Sequence, residues 1–243
     1  MQVHFSGAKC EVPIHEHRQG QLVLALAGGV TCEVPNSIWM VPPGCAVWVP
    51  GNTPHSMRAT SNARICNLFV QPDMAQLPSE CCTLAITPLV RELMLHIAGE
   101  EAAYEPDSPM ARKAGVLLDE LVKMPVEHLH LPTSIEPRMQ KLARTLSENP
   151  SDRRTVGEWG KELAMSERSL ARLVQQETGM SFGRWRQQLQ LIVAMHQLAA
   201  GQSVNRVADH LGYESVTAFI SMFKKSVGKP PAKYFAELTQ SGK

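Results

Sequence analysis

No stretch of this 243-residue chain approaches the roughly 18–20 apolar residues that a membrane-crossing helix needs; the longest run, Leu22–Ala27, is the size of a strand. A membrane protein is therefore excluded. The first residues carry no basic stretch ahead of an apolar core and a small-residue cleavage site, so no secretory signal is expected and the cytoplasm is the expected compartment. There is no CxxC pair, so no zinc ribbon is encoded. The six cysteines, Cys10, Cys32, Cys45, Cys66, Cys81 and Cys82, all fall in the first part of the chain and are expected as buried small hydrophobes, not disulfides. With 44% hydrophobic and 19% charged residues, the chain is neither disordered nor fibrous.

The length suits two domains. The formal net charge of +1 conceals a division. Residues 1–133 carry 8 Lys+Arg against 13 Asp+Glu, a balance of −5, whereas residues 134–243 carry 16 against 10, a balance of +6. A basic half joined to an acidic one suggests nucleic-acid contact by the basic half.

From residue 3 to about 86 the sequence reads as β-rich runs: Gln21–Ala27, Val30–Val34, Ser37–Val41, Ala46–Val49, Ser56–Ala59 and Arg64–Val70. Breaks fall at Gly28-Gly29, Pro35-Asn36, Pro42-Pro43-Gly44 and Pro50–Pro54. Six or more closely spaced strands predict a sandwich or barrel. The period then changes. Ile86, Leu89, Val90, Leu93 and Ile97 recur at helical spacing after the Thr87-Pro88 cap, and a second helix opens at Ser108-Pro109 and runs through Ala114, Leu117, Leu118 and Leu121. This helical pair flanks the strands and is a candidate dimer interface. Residues 126–135, where the charge balance also shifts, are expected as a linker containing His128 and His130; domains of 1–125 and 136–243 follow.

The second half carries a repeat. In Thr155–Gly179, Thr155 and Glu158 match a capping box, Gly160 is the small residue at a close helix approach, Ala164 sits at a turn, and Ser166 caps a helix with Leu170, Leu173 and Val174 inward. In Ser203–Gly228, Ala208 and Gly212 occupy the places of Gly160 and Ala164, both displaced by the same interval, and the second turn is one position longer. Both segments predict helix-turn-helix units whose second helices enter the major groove. The connecting stretch, 182–200, spans roughly 28 Å as a helix, close to the roughly 34 Å between successive groove turns. Candidate DNA contacts are Ser166, Glu167, Arg168, Ser169, Arg172, Gln175 and Gln176 in the first reader. In the second they are Ser215, Thr217, Ala218 and Ser221, with Lys224 and Lys225 at phosphates.

With the ending Gly228-Lys229-Pro230-Pro231-Ala232-Lys233-Tyr234, matching G-x-x-P-x-x-Y, the last hundred residues resemble the DNA-binding domain of the AraC/XylS family of bacterial transcription regulators. The resemblance implies a base contact by Arg172. The expected partners of the chain are promoter DNA, a small-molecule effector, a second copy of the chain and RNA polymerase. At the matching position of the second reader the chain has Ser221, a departure from the arginine common there, so the first reader should dominate specificity.

In the first half, His15-Glu16-His17, Gln21 and His55 resemble the two cupin motifs, with Gln21 standing where glutamate is usual. On a strand His15 and His17 would share a face. Three imidazoles can hold a divalent metal, so His15, His17 and His55 are candidate ligands, and with Gln21, Trp39 and Trp48 they make a candidate effector site. The expected architecture is an α+β multi-domain chain: a cupin-like β-barrel with two flanking helices, then an all-α domain with two helix-turn-helix units. The expected function is that of an effector-responsive transcription regulator and not an enzyme. The rival reading, a metal-dependent cupin dioxygenase or isomerase with an accessory helical domain, requires a bound metal and a nearby acid or base; Gln21 weakens the first and no candidate supplies the second.

Overall fold

The computed structural model describes residues 2–6, 11–35, 37–41, 44–99, 105–127 and 130–240; Cys10, Asn36, Pro42, Pro43 and His128 lie outside the described residues. The chain divides into two compact units, one of Met1–Val34, Trp39–Leu129 and Ala236–Lys243, the other of Pro35–Ile38 and His130–Phe235.

The first unit carries strands β1 (Gln2–Ser6), β2 (Glu11–His15), β3 (Gly20–Ala27), β4 (Val30–Val34), β5 (Ser37–Val41), β6 (Cys45–Val49), β7 (His55–Ala59), β8 (Arg64–Val70), β9 (Cys82–Ala85) and β10 (Val126–Glu127). One sheet has the order β1-β8-β3-β6-β9-β10, and the other runs β5-β4-β7-β2. Among the described residues the strands are hydrogen-bonded into two sheets and not into one closed barrel. Side chains, not a continuous ladder, join the layers.

Strand alternation sorts the first sheet's residues between two faces. Leu22, Leu24, Ala46, Trp48, Cys66, Leu68 and Leu84 form one core with Val90, Met94 and Ile97 of α1 (Pro88–Ala98) and Leu117, Leu118 and Leu121 of α2 (Pro109–Leu121). Each leucine buried there contributes about 1.5–3 kcal/mol. The other face, also buried, carries Gln21, Val23, Val47, Val49, Ile65, Asn67 and Thr83. Both helices start as their sequences predict: the Thr87 hydroxyl accepts from Val90 N, the Ser108 hydroxyl accepts from Ala111 N, and proline opens each helix.

The second unit begins with the extended piece β11 (His130–Pro132) and is otherwise helical: α3 (Pro137–Glu148), α4 (Val156–Glu162), α5 (Glu167–Thr178), α6 (Phe182–Ala199), α7 (Val204–His210), α8 (Val216–Val227) and α9 (Pro231–Gln240). Trp159 and Trp185 centre a core with Leu142, Leu146, Leu170, Val174, Phe182 and Leu189. The G-x-x-P-x-x-Y ending has a structural explanation. Gly228 stops α8 at φ 79°, Pro231 opens α9, and the Tyr234 ring meets Phe223 at 5.8 Å. Of the cysteines, Cys32, Cys45, Cys66 and Cys82 are buried and Cys81 is half-buried. Burial pushes the Cys32 and Cys66 thiols up to about 12, which removes their nucleophilic character at neutral pH.

Candidate functional site

The two helical hairpins of the second unit share a backbone plan. Thr155 and Ser203 cap α4 and α7, and the Thr155/Glu158 capping box is complete. Met165 N donates to Gly160 O at 2.8 Å and Tyr213 N to Ala208 O at 3.0 Å, each pair standing the same distance along the chain from its cap. These bonds close left-handed turns at Ala164 (φ 53°) and Gly212 (φ 73°). A Cβ on Gly160 would stand 2.9 Å from Met165 O, so the first hairpin needs a bare backbone where its helices meet. From the turn onward the correspondence shifts by one position. Ser166 and Ser215 cap α5 and α8, buried Leu170 and Val174 match Phe219 and Phe223, and both helices end on left-handed glycines, Gly179 and Gly228. The extra residue lies wholly in the second turn.

Helix α6 joins the hairpins within this unit. Gln190 donates to Pro150 O at 2.9 Å and accepts from the Tyr213 hydroxyl at 3.3 Å. The unit's arginines fall into two kinds. Arg154 is ion-paired with Asp152 at 2.7 Å and lies 3.8 Å over Trp159, and Arg186 donates to Arg154 O at 2.8 Å. Arg168 and Arg172, exposed one turn apart on α5, have no hydrogen-bond or ion-pair partner among the described residues. Gln175, Gln176, Thr217, Ala218, Lys224 and Lys225 are also exposed, and Ser169 is half-buried.

Several predicted contacts are engaged locally. Ser166 and Ser215 accept from backbone N–H groups as caps, and Ser166 Oγ donates to Ser169 Oγ at 2.8 Å. Ser221 Oγ donates to Thr217 O at 2.9 Å. The Glu167 carboxylate folds toward Gly157, whose added Cβ would stand 2.9 Å from Oε2.

In the first unit, β2 and β7 pair with His15 opposite His55, and a bulge separates Val12 from His15. His17 lies beyond the end of β2, not on a strand as the spacing predicts. It joins the others because Asn52 N donates to His17 O at 2.8 Å, tying it to the turn before His55. The ring centroids stand 5.7 Å (His15–His17), 4.3 Å (His15–His55) and 5.1 Å (His17–His55) apart. The Nδ1 atoms of His15, His17 and His55 face the carbonyls of Pro13 (2.9 Å), Gln19 (2.6 Å) and Thr53 (2.8 Å). Carbonyls only accept, so each Nδ1 carries the proton and each Nε2 of a neutral ring carries a lone pair. Gln21, 2% exposed, brings Oε1 to 3.1 Å from His17 Nε2 and 3.0 Å from His55 Nε2, while its NH2 donates to Asn67 Oδ1 at 3.0 Å. Burial first, then the neighbouring His15 and His17, lower the pKa of His55 against the opposing effect of the Thr53 carbonyl, which favours a neutral ring.

A family profile described as an AraC-like ligand binding domain matches residues 5–155, and one described as a helix-turn-helix domain matches residues 159–237. The chain is 46% identical over 237 residues to the HTH-type transcriptional regulator NimR of Escherichia coli (strain K12), covering 98% of this chain and 87% of that protein. The chain belongs to the AraC family. It is an AraC-type DNA-binding transcriptional regulator with an N-terminal ligand-binding domain. This regulator is also 25% identical to RipA of Corynebacterium glutamicum over 63% of this chain and 46% of that protein. The solved structure of ToxT from Vibrio cholerae O395 superposes at TM-score 0.43 and 12% identity over 98% of this chain and 97% of that one, too loosely to locate individual residues. No helix among the regulator's described residues is long and apolar enough to cross a membrane.

Of the six residues expected around the effector, the structure brings four together: His15, His17, Gln21 and His55. Trp48 faces away: its ring lies over Gly20, where an added Cβ would meet it at 2.0 Å, and its indole N–H donates to Pro78 O at 2.8 Å. Gly20 and Gln21 are neighbours on β3 and point to opposite faces. Trp39 is buried on β5, with β4 between its strand and β7. Asn67, a lone amide in the apolar run RICNLFV, was missed from sequence; its interruption of that run is the signal that marks it.

One nitrogen from each histidine lies within 4.8 Å of the others. Adjacent donors on a metal with bonds of about 2.1 Å stand about 3.0 Å apart at right angles, and the two Nε2–Oε1 separations are 3.1 and 3.0 Å. Lone pairs facing one another at that distance repel unless a positive charge lies between them. His17, His55 and the Gln21 carbonyl thus already have the spacing of neighbouring ligands of one divalent cation, and the three histidine nitrogens would draw in from within 4.8 Å to at most about 4.2 Å to share it with His15.

Proposed function

We propose that residues 136–243 read promoter DNA with α5 and α8 in successive turns of one major groove, that residues 1–125 sense an effector, and that residues 126–135 link the two. Arg168 and Arg172 contact bases, with Gln175 and Gln176 beside them; Thr217 and Ala218 present a smaller surface from α8, and Lys224 and Lys225 hold phosphates. One observation carries this reading: two exposed, unengaged guanidiniums stand on the second helix of a hairpin whose backbone plan is repeated, bond for bond, in the hairpin beyond α6. Folding has no use for those charges, and a guanine edge does.

The effector site is the set of His15, His17, His55 and Gln21, with a divalent metal as the group its donors suit. Helices α1 and α2, with Leu89, Val116 and Val122 exposed at 53%, 46% and 47%, form the contact with a second copy of the chain. The protein acts in the cytoplasm, contacts RNA polymerase when bound beside a promoter, and carries out no catalysis.

The test is recovery of genomic fragments bound by the full chain, followed by sequencing. The reading expects one shared motif with two unequal halves, the better defined half facing α5. Fragments without a common motif would overturn it.

A further inference from the structure

We infer that Asn67 is the positioning residue that turns Gln21 into a metal ligand, making the histidine set a neutral four-donor site selective for late first-row divalent ions. This rests on the metal reading of that set and names a residue and an ion class beyond it. A glutamine side chain can present either its carbonyl or its NH2 to the histidines, and only the carbonyl can bind a metal. Nothing in the histidines themselves makes that choice, because a neutral Nε2 would accept a hydrogen bond from the NH2 readily.

The choice is made on the other side of the amide. Gln21 Nε2 donates to Asn67 Oδ1 at 3.0 Å and approaches Met57 Sδ at 3.9 Å, two acceptors that face its NH2 and leave Oε1 toward His17 and His55. The register sets this up. Val23 pairs with Asn67 across β3 and β8, so Gln21, two residues earlier on the same face, is Asn67's diagonal neighbour. Gln21 and Asn67 are 2% and 5% exposed, so water cannot readily replace the contact.

The chemistry of the set follows. Three neutral imidazoles and one amide oxygen add no negative charge, so the site does not suit Mg2+ or Ca2+, which favour carboxylate and water oxygens. Imidazole-rich sites favour Co2+, Ni2+ and Zn2+. Exchanging a partner that orients a ligand typically changes metal affinity about 10- to 100-fold.

The test uses the full chain stripped with chelator and titrated with Co2+, read by visible absorption, and with Zn2+, read by competition with a chromophoric chelator. The unaltered chain is expected to bind one ion, with millimolar Mg2+ failing to compete. Asn67→Leu should weaken binding about 10- to 100-fold. Asn67→Asp, whose carboxylate still accepts from Gln21 Nε2, should stay within about threefold and keep the Co2+ spectrum. Melting of the metal-free variants separates orientation from unfolding; if the leucine variant does not fold, Asn67→Ser, with a side chain too short for the contact, replaces it. Asn67→Leu binding as tightly as the unaltered chain would overturn the positioning role while leaving the metal reading intact. No Co2+ or Zn2+ binding by the unaltered chain, unchanged by His55→Ala, would overturn both.

Discussion

Replacing Arg172 by alanine removes a charge that the fold does not use. The side chain is exposed on α5 and has no hydrogen-bond or ion-pair partner among the described residues, so the stability of the free protein should change by no more than about 0.5 kcal/mol. On DNA the loss is that of a two-pronged guanine contact, about 1–3 kcal/mol, or roughly 5- to 150-fold in affinity for the preferred site. Random-sequence affinity should fall far less, because the phosphate contacts remain. Arg186→Ala serves as the opposite case. That guanidinium donates to Arg154 O at 2.8 Å and lies 5.3 Å from the Phe182 ring, half-buried, so its removal should destabilise the protein by about 1–2 kcal/mol. Fluorescence anisotropy on a genome-selected fragment and on a scrambled duplex, paired with urea unfolding, separates the two effects. If Arg172→Ala keeps the parent's ratio of selected to scrambled affinity, the assignment of α5 as the base reader is wrong.

Further consequences follow from the hairpins. Ala164→Gly should raise stability by about 0.5–1 kcal/mol in urea unfolding, because relief of a left-handed non-glycine backbone (about 1–2 kcal/mol) exceeds glycine's entropic cost (about 0.5–1 kcal/mol). Gly212→Ala should do the reverse, by about 2 kcal/mol or more, since its Cβ would also stand 2.9 Å from Ser151 Cβ. The Thr155 backbone N–H, and then its hydroxyl, hold the Glu158 carboxyl below its usual range. Its stabilisation is complete above the unfolded carboxyl pKa and is lost as pH falls through the folded value; Glu158→Gln should flatten that acid limb in melting curves recorded against pH. Lys224→Ala and Lys225→Ala should each lower the slope of log affinity against log salt by about 1 without altering sequence preference.

The hairpins were the most readable part of the sequence because their signals are local. Caps, a small residue at a helix crossing and a left-handed turn all lie close together in the chain, so the repeat and its longer second turn can be counted without knowing any distant contact. Strands Val30–Val34, Ser37–Val41 and Arg64–Val70 were equally plain as β-rich runs bounded by turn residues. The histidine set was half visible. Motif spacing picks out His15, His17, Gln21 and His55, but His17 converges through a backbone bond to the distant Asn52 and not through strand periodicity. Trp48 was misplaced because an aromatic residue near a motif does not reveal which face of its strand it takes; only the pairing of Leu22 with Trp48 across β3 and β6 decides that. Asn67 depends on the register between β3 and β8, strands far apart in the chain, and the short β10, paired with β9 through Val126 and Glu127, is too brief for any period to show.

Hydroxyl-radical footprinting of the full chain on a selected promoter fragment measures the spacing and relative face of the two readers directly. Two protected patches centred about 10–10.5 base pairs apart on one face of the duplex are predicted. A single patch persisting at saturating protein, or two patches on opposite faces, would contradict the account.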